Sequence, residues 1–138
     1  MLVEWVTICS EVEETPGGSV IHNAGGVMGP PIELPATITV RLAVALLGLN
    51  EPVEVHTICW AVVDPDGVEI DQHKLAFSPE LELADQVPDG LKVRRIVPVD
   101  CEFAVDRSGI YTLRCWALGQ NHPYAVQLYV ARLEGSER

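Results

Sequence analysis

Residues 106–118 read Asp-Arg-Ser-Gly-Ile-Tyr-Thr-Leu-Arg-Cys-Trp-Ala-Leu, and they narrow the possible folds more than any other stretch. An acidic turn closes on Gly109, and Tyr111 then opens a run of alternating apolar and polar side chains. A strand that begins this way can turn its tyrosine hydroxyl back onto the backbone just upstream. That corner belongs to a late strand of a two-sheet β-sandwich. It carries no catalytic chemistry.

The rest of the chain agrees with an all-β fold. No long run of apolar residues at i, i+3, i+4 and i+7 occurs, whereas short β-rich runs bounded by Gly, Pro, Asn and Asp recur. About eight mostly antiparallel strands are expected, at 2–12, 19–23, 36–47, 53–63, 68–76, 93–105, 110–118 and 123–133. The first two flank Thr15-Pro16-Gly17-Gly18. Asp64-Pro65-Asp66-Gly67 is the strongest turn, because Pro presets φ and Gly supplies a positive φ. Residues 77–92 form a long acidic connection with one helical turn expected at 79–85. The predicted architecture is an immunoglobulin-like two-sheet β-sandwich built as a single domain over 1–138, with 134–138 a frayed tail.

Strand parity assigns the faces. With Trp60 pointing inward, Ile58 and Val62 follow it, and Thr57, Cys59 and Ala61 point outward. In 110–118, Tyr111, Leu113, Cys115 and Ala117 point in, leaving Thr112, Arg114 and Trp116 out. In the last strand, Tyr124, Val126, Leu128 and Val130 are expected inside, with Gln127 and Tyr129 outside. The opposing sheet is lined by alternate residues of 38–46 and 97–105. One outer face then carries Trp116, Tyr129, Arg114, Gln127, Thr57 and Cys59, which is the composition of a protein–protein contact. The competing expectation is that the Gly/Pro-rich segment 24–35 covers this face.

Charge limits the partners. The formal net charge is −11, with only 9 Lys and Arg. Nucleic acid and anionic membrane surfaces are therefore poor partners, since both need clustered cations. No stretch approaches a membrane span, and Glu4 stands where a secretory leader would carry a cation. A cytoplasmic protein is expected. The 4 Cys fall inside predicted strands without any Cys-x-x-Cys. Four reduced thiols are therefore expected. Cys59 and Cys115 lie on opposite faces of one sheet, which rules out a bridge between them.

Reactive constellations are scarce. His22, His56, His73 and His122 are scattered with no His-x-x-x-His, so no metal or other cofactor is expected. Asp64-x-Asp66-Gly67 lacks the remaining ligands of a calcium loop. No Ser has the nucleophile-elbow sequence.

The chain resembles a family of small bacterial and phage-borne proteins of about this length. The likeness rests on Ile8-Cys9-Ser10-Glu11, Gly25-Gly26, Leu34-Pro35, Val63-Asp64-Pro65-Asp66-Gly67 and Gly109-Ile110-Tyr111. Val27 departs from it, where an aromatic often follows the Gly-Gly pair. The resemblance implies a β-sandwich and carries over no activity and no catalytic residue.

The expected function is a non-enzymatic interaction or assembly module, with a protein partner or a second copy docking on the Trp116 face as a homo-oligomer. The alternatives are a small-ligand or carbohydrate-binding sandwich, using the 119–122 turn or the 77–92 loop, and an enzyme. The last requires a cleft with convergent polar groups.

Overall fold

The computed structural model describes residues 1–25, 29–51, 55–78, 88 and 90–133. Among these residues there are nine strands and no helix. They are β1 (Leu2–Cys9), β2 (Glu11–Thr15), β3 (Gly18–His22), β4 (Ala36–Leu47), β5 (His56–Val63), β6 (Glu69–Phe77), β7 (Arg94–Val105), β8 (Gly109–Ala117) and β9 (Tyr124–Val130). The helical turn expected at 79–85 and the tail 134–138 lie outside the described residues.

The expected first strand, 2–12, is two strands. Ser10 leaves the β1–β4 ladder because its own N–H and hydroxyl both donate to the His22 carbonyl, at 3.0 and 3.1 Å. Residues beyond it turn away as the separate hairpin β2–β3.

The remaining strands form a three-stranded sheet ordered β1-β4-β7 and a four-stranded sheet ordered β6-β5-β8-β9. Every strand pair is antiparallel. The chain crosses between the sheets after β4, after β6 and again after β7, which makes the two-sheet sandwich expected from the turn pattern. Pro98 sits in the middle of β7, an edge strand, where its missing N–H costs no ladder bond.

The core lies between the sheets and follows strand parity. Val40, Leu42, Val44, Leu46, Val99, Cys101, Phe103 and Val105 face Ile58, Trp60, Val62, Tyr111, Leu113, Cys115, Leu128 and Val130. Tyr124 departs from expectation and is exposed. It opens β9 directly after the 119–122 turn, at the end of the sandwich, where the facing sheet no longer covers it. The Tyr111 ring is fully buried, yet its hydroxyl donates to the Arg107 carbonyl at 2.8 Å, so the corner forms as predicted.

Gln120 closes one side of the sandwich, and no sequence pattern pointed to it. Its Oε1 accepts from the N–H groups of Val3 (3.0 Å) and Ala117 (2.9 Å), and its Nε2 donates to the Val3 carbonyl (3.0 Å). One side chain thus ties β1 to the β8–β9 turn. The β1–β4 register shifts between Val3 and Trp5, where the Val3 backbone turns toward Gln120. Gln120→Ala orphans these groups in a half-buried setting and is expected to cost about 1–3 kcal/mol. Urea denaturation measures this, and a loss under about 0.5 kcal/mol would mean water replaces the clamp.

Candidate docking face of the four-stranded sheet

The outer face of the four-stranded sheet is built from the side chains that parity turns away from the core. Cross-strand register places them in rows. Lys74, Cys59 and Trp116 form one row. Gln72, Ala61, Arg114 and Ala125 form the next, and Val63, Thr112 and Gln127 the one after. Thr57 lies beyond the Trp116 row, and its carbonyl accepts from the Leu118 N–H at 2.9 Å.

Thr57, Cys59, Trp116 and Arg114 therefore form one contiguous patch, with Gln127 on its diagonal. Tyr129 shares the face but is not Trp116's neighbour. The β8–β9 register sets Tyr129 opposite Ile110, six residues from Trp116 along β8. At about 3.3 Å per residue this is about 20 Å. Parity decides a side chain's face, and the turn length decides its row, so the aromatic pair expected from parity alone is split.

Cys59 was expected to be exposed on this face, but its accessibility is 1%. It does not belong to the inter-sheet core. Its outer-face neighbours in register are Lys74 and Trp116. Ala61, in the next row, is likewise buried. Trp116 itself remains half-buried. The described part of segment 24–35 does not cover this patch. Ile32 bridges Arg132 instead, beyond the end of β9, and packs against the core.

Four of the chain's cations are held by carboxylates. Arg41 forks onto Asp100 (2.7 and 3.1 Å), Arg94 bonds Glu4 (3.0 Å), Lys92 pairs with Glu51 (3.3 Å), and Arg107 spans Asp64 and Asp66 (2.6 and 2.7 Å). Lys74 and Arg114 have no ion pair among the described residues. Among the described residues, Lys74 and Arg114 thus stand without an ion pair on the face that carries Trp116, and Arg132, beyond the end of β9, is the third such cation.

The chemistry elsewhere is structural. All four thiols are free and buried. Burial pushes Cys115 up to about 12 and, with the Asp71 charge, Cys101 up to about 11, so neither forms a thiolate at neutral pH. His73 Nε2 lies 3.0 Å from Asp71, and its ring stacks on Trp60. Among the described residues no three His, Cys, Asp or Glu side chains converge as metal ligands. A mainly apolar cleft of about 300 Å³ opens where β1 ends and β4 runs on paired only with β7, lined by Ile8, Ile38, Val40, Leu128 and Val130.

The ion pairs make stability depend on acid. The Asp64 carboxylate accepts the Val68 and Asp66 N–H groups, both at 2.9 Å, and then Arg107, and it is held below its ordinary value. The Arg41 hydrogen bond lowers Asp100, and the Arg94 hydrogen bond lowers Glu4. Each group binds its proton more weakly folded than unfolded. Its contribution is complete above the unfolded values near 3.8–4.5 and is lost as pH falls through the folded ones. The melting temperature is expected to be flat between pH 8 and pH 5, within about 2 °C, and to fall steeply below about pH 4. A melting temperature unchanged at pH 2.5 would show that these bonds do not survive in solution.

Among the described residues, no helix is long and apolar enough to cross a membrane. No protein-family model, no curated protein and no solved structure matches this chain, so its function is read from its own residues.

Proposed function

We propose that this chain is a non-enzymatic interaction or assembly module that self-associates through the outer face of its four-stranded sheet, with Trp116 as the anchor. The observation that carries the reading is a half-buried tryptophan on the same face as Lys74 and Arg114, which have no ion pair among the described residues. Aromatic and arginine side chains dominate the energetics of protein contacts when water is excluded around them. A cation left without a carboxylate on an acidic protein gains most from a partner that supplies one. A reducing, cytoplasmic setting agrees with four free, buried thiols.

Trp116→Ala tests the reading. Light scattering after size exclusion is expected to show the solution mass falling toward that of one 15.1 kDa chain. The melting midpoint should fall only by about 3–8 °C, because the side chain is only partly buried. Cys59 is the cross-strand neighbour of Trp116, so the same substitution is expected to make one thiol reactive toward a disulfide reagent under native conditions. An unchanged mass alongside a newly reactive thiol would sink self-association while leaving the geometry of the face intact.

A small-ligand reading has one observation in its favour, the apolar cleft where β1 ends. Its volume lies at the lower end of the range for ligand sites. Thermal-shift screening of small apolar molecules and glycans separates the two, because a cleft ligand raises the midpoint of the Trp116→Ala variant as much as that of the parent.

A further inference from the structure

Resting on the docking reading above, we propose that the occupant of the Trp116 face is the β2–β3 hairpin of a second copy of this chain, in a head-to-tail assembly. The hairpin is held at its base and lies against β4 and β7. Its base is held by Ser10 N–H to the His22 carbonyl (3.0 Å), Asn23 Nδ2 to Ser10 Oγ (2.9 Å) and Gly25 N–H to the Ile8 carbonyl (2.8 Å). Alternation sorts its side chains onto two faces. Val12 and Ile21, directly opposite one another, are half-buried. The other face presents Glu11, Glu13, His22 and Val20; Val20 stands directly across from Glu13 and is 42% exposed, and His22 Nε2 lies 4.0 Å from Glu13 Oε2.

The two surfaces complement each other at two levels. An exposed valine beside Glu13 meets a half-buried tryptophan whose face carries Lys74 and Arg114. The chain's net charge of −11 opposes association at long range. At physiological ionic strength charges beyond about 8 Å are largely screened, so the local contact dominates.

The fold also decides the symmetry. The hairpin contacts β4 and β7 of the three-stranded sheet, whereas Trp116 lies on the outer face of the other sheet. The donor and acceptor surfaces are therefore on opposite sides of the sandwich. A chain cannot satisfy its own face, and each copy that docks leaves one hairpin and one face open. Such a contact is heterologous and propagates into rings or filaments.

Two variants and their mixture test this. One carries Lys74→Glu with Arg114→Glu and keeps its hairpin. The other carries Glu13→Lys with Val20→Ala and keeps its face. The parent chain is expected to show a mass that rises with concentration. Each variant should be monomeric, with its dissociation constant raised at least tenfold, and the equimolar mixture should form a capped 1:1 dimer that does not grow. All four positions are exposed. The neutral pair Lys74→Gln and Arg114→Gln gives the same reading if charge reversal disturbs the sheet. A face variant that dissociates while the hairpin variant keeps the parent's mass overturns the hairpin as occupant and leaves the docking face standing. A mixture that stays monomeric also overturns it. A parent chain that is monomeric at every concentration removes both the hairpin contact and self-association through the face.

Discussion

Replacing Trp60 by alanine is expected to cost about 3–5 kcal/mol of folding stability, enough to unfold a large part of the population at 37 °C if the domain is ordinarily stable. The ring is only 7% exposed and packs in the inter-sheet core beside Cys101 and Cys115. Its removal deletes buried apolar area and leaves a cavity that two facing sheets cannot collapse. It also ends the stack on His73, whose ring lies 5.6 Å away. The same residue type on the outer face behaves oppositely. Trp116→Ala should cost about 1–2 kcal/mol, since that side chain lies outside the inter-sheet core and is only partly buried. Urea denaturation of the two variants side by side measures the contrast. Equal losses would mean that the two indoles are not on opposite sides of the sheet.

Gly109→Ala is the second large effect expected, and here the damage comes from adding an atom. Gly109 holds φ at +139°, where side-chain-bearing residues are strained. A Cβ built there would meet Pro65 Cγ at 2.7 Å and Pro65 Cβ at 2.9 Å. Pro65 cannot rotate away, because its ring is fixed in the turn whose Asp64 carboxylate accepts from two backbone N–H groups and Arg107. Backbone strain of about 1–3 kcal/mol then adds to an overpacking cost of similar size. A total of about 2–5 kcal/mol is expected, with the Tyr111–Arg107 bond lost as the corner moves. Pro65→Ala should recover part of that loss by removing the atom at 2.7 Å, while doing little alone. If Gly109→Ala melts within about 2 °C of the parent, the corner is not as tight as this geometry requires.

The faces of the strands were legible from the sequence because alternation is a property of any extended chain. Ile58, Trp60, Val62, Leu113 and Cys115 pointed inward as parity required. The corner at Tyr111 was legible because its turn and hydroxyl act locally. What escaped was long-range or register-dependent. Ser10 reads as an ordinary strand residue, and only the His22 carbonyl, twelve positions away, makes it a break. Gln120 reads as a turn residue, and only the approach of β1 turns it into a clamp. The candidate site was legible to the same degree. The face and its Trp116, Arg114, Thr57 and Cys59 came from parity, whereas the partner row holding Lys74 required the β5–β6 register. The split of Trp116 from Tyr129 required the β8–β9 register.

Sequence alone determined that this chain is built of strands, where its turns fall and which side of each strand is apolar, since turn chemistry and the two-residue pleat act over a few neighbouring positions. Only the tertiary structure decided which strands adjoin and in what register. It therefore decided that Lys74 and Arg114 share a face with Trp116 and that the acidic hairpin lies against the other sheet. The physical reason is distance along the chain. Lys74 and Trp116 share a row through ladders between segments far apart in sequence, and no local propensity encodes such a meeting.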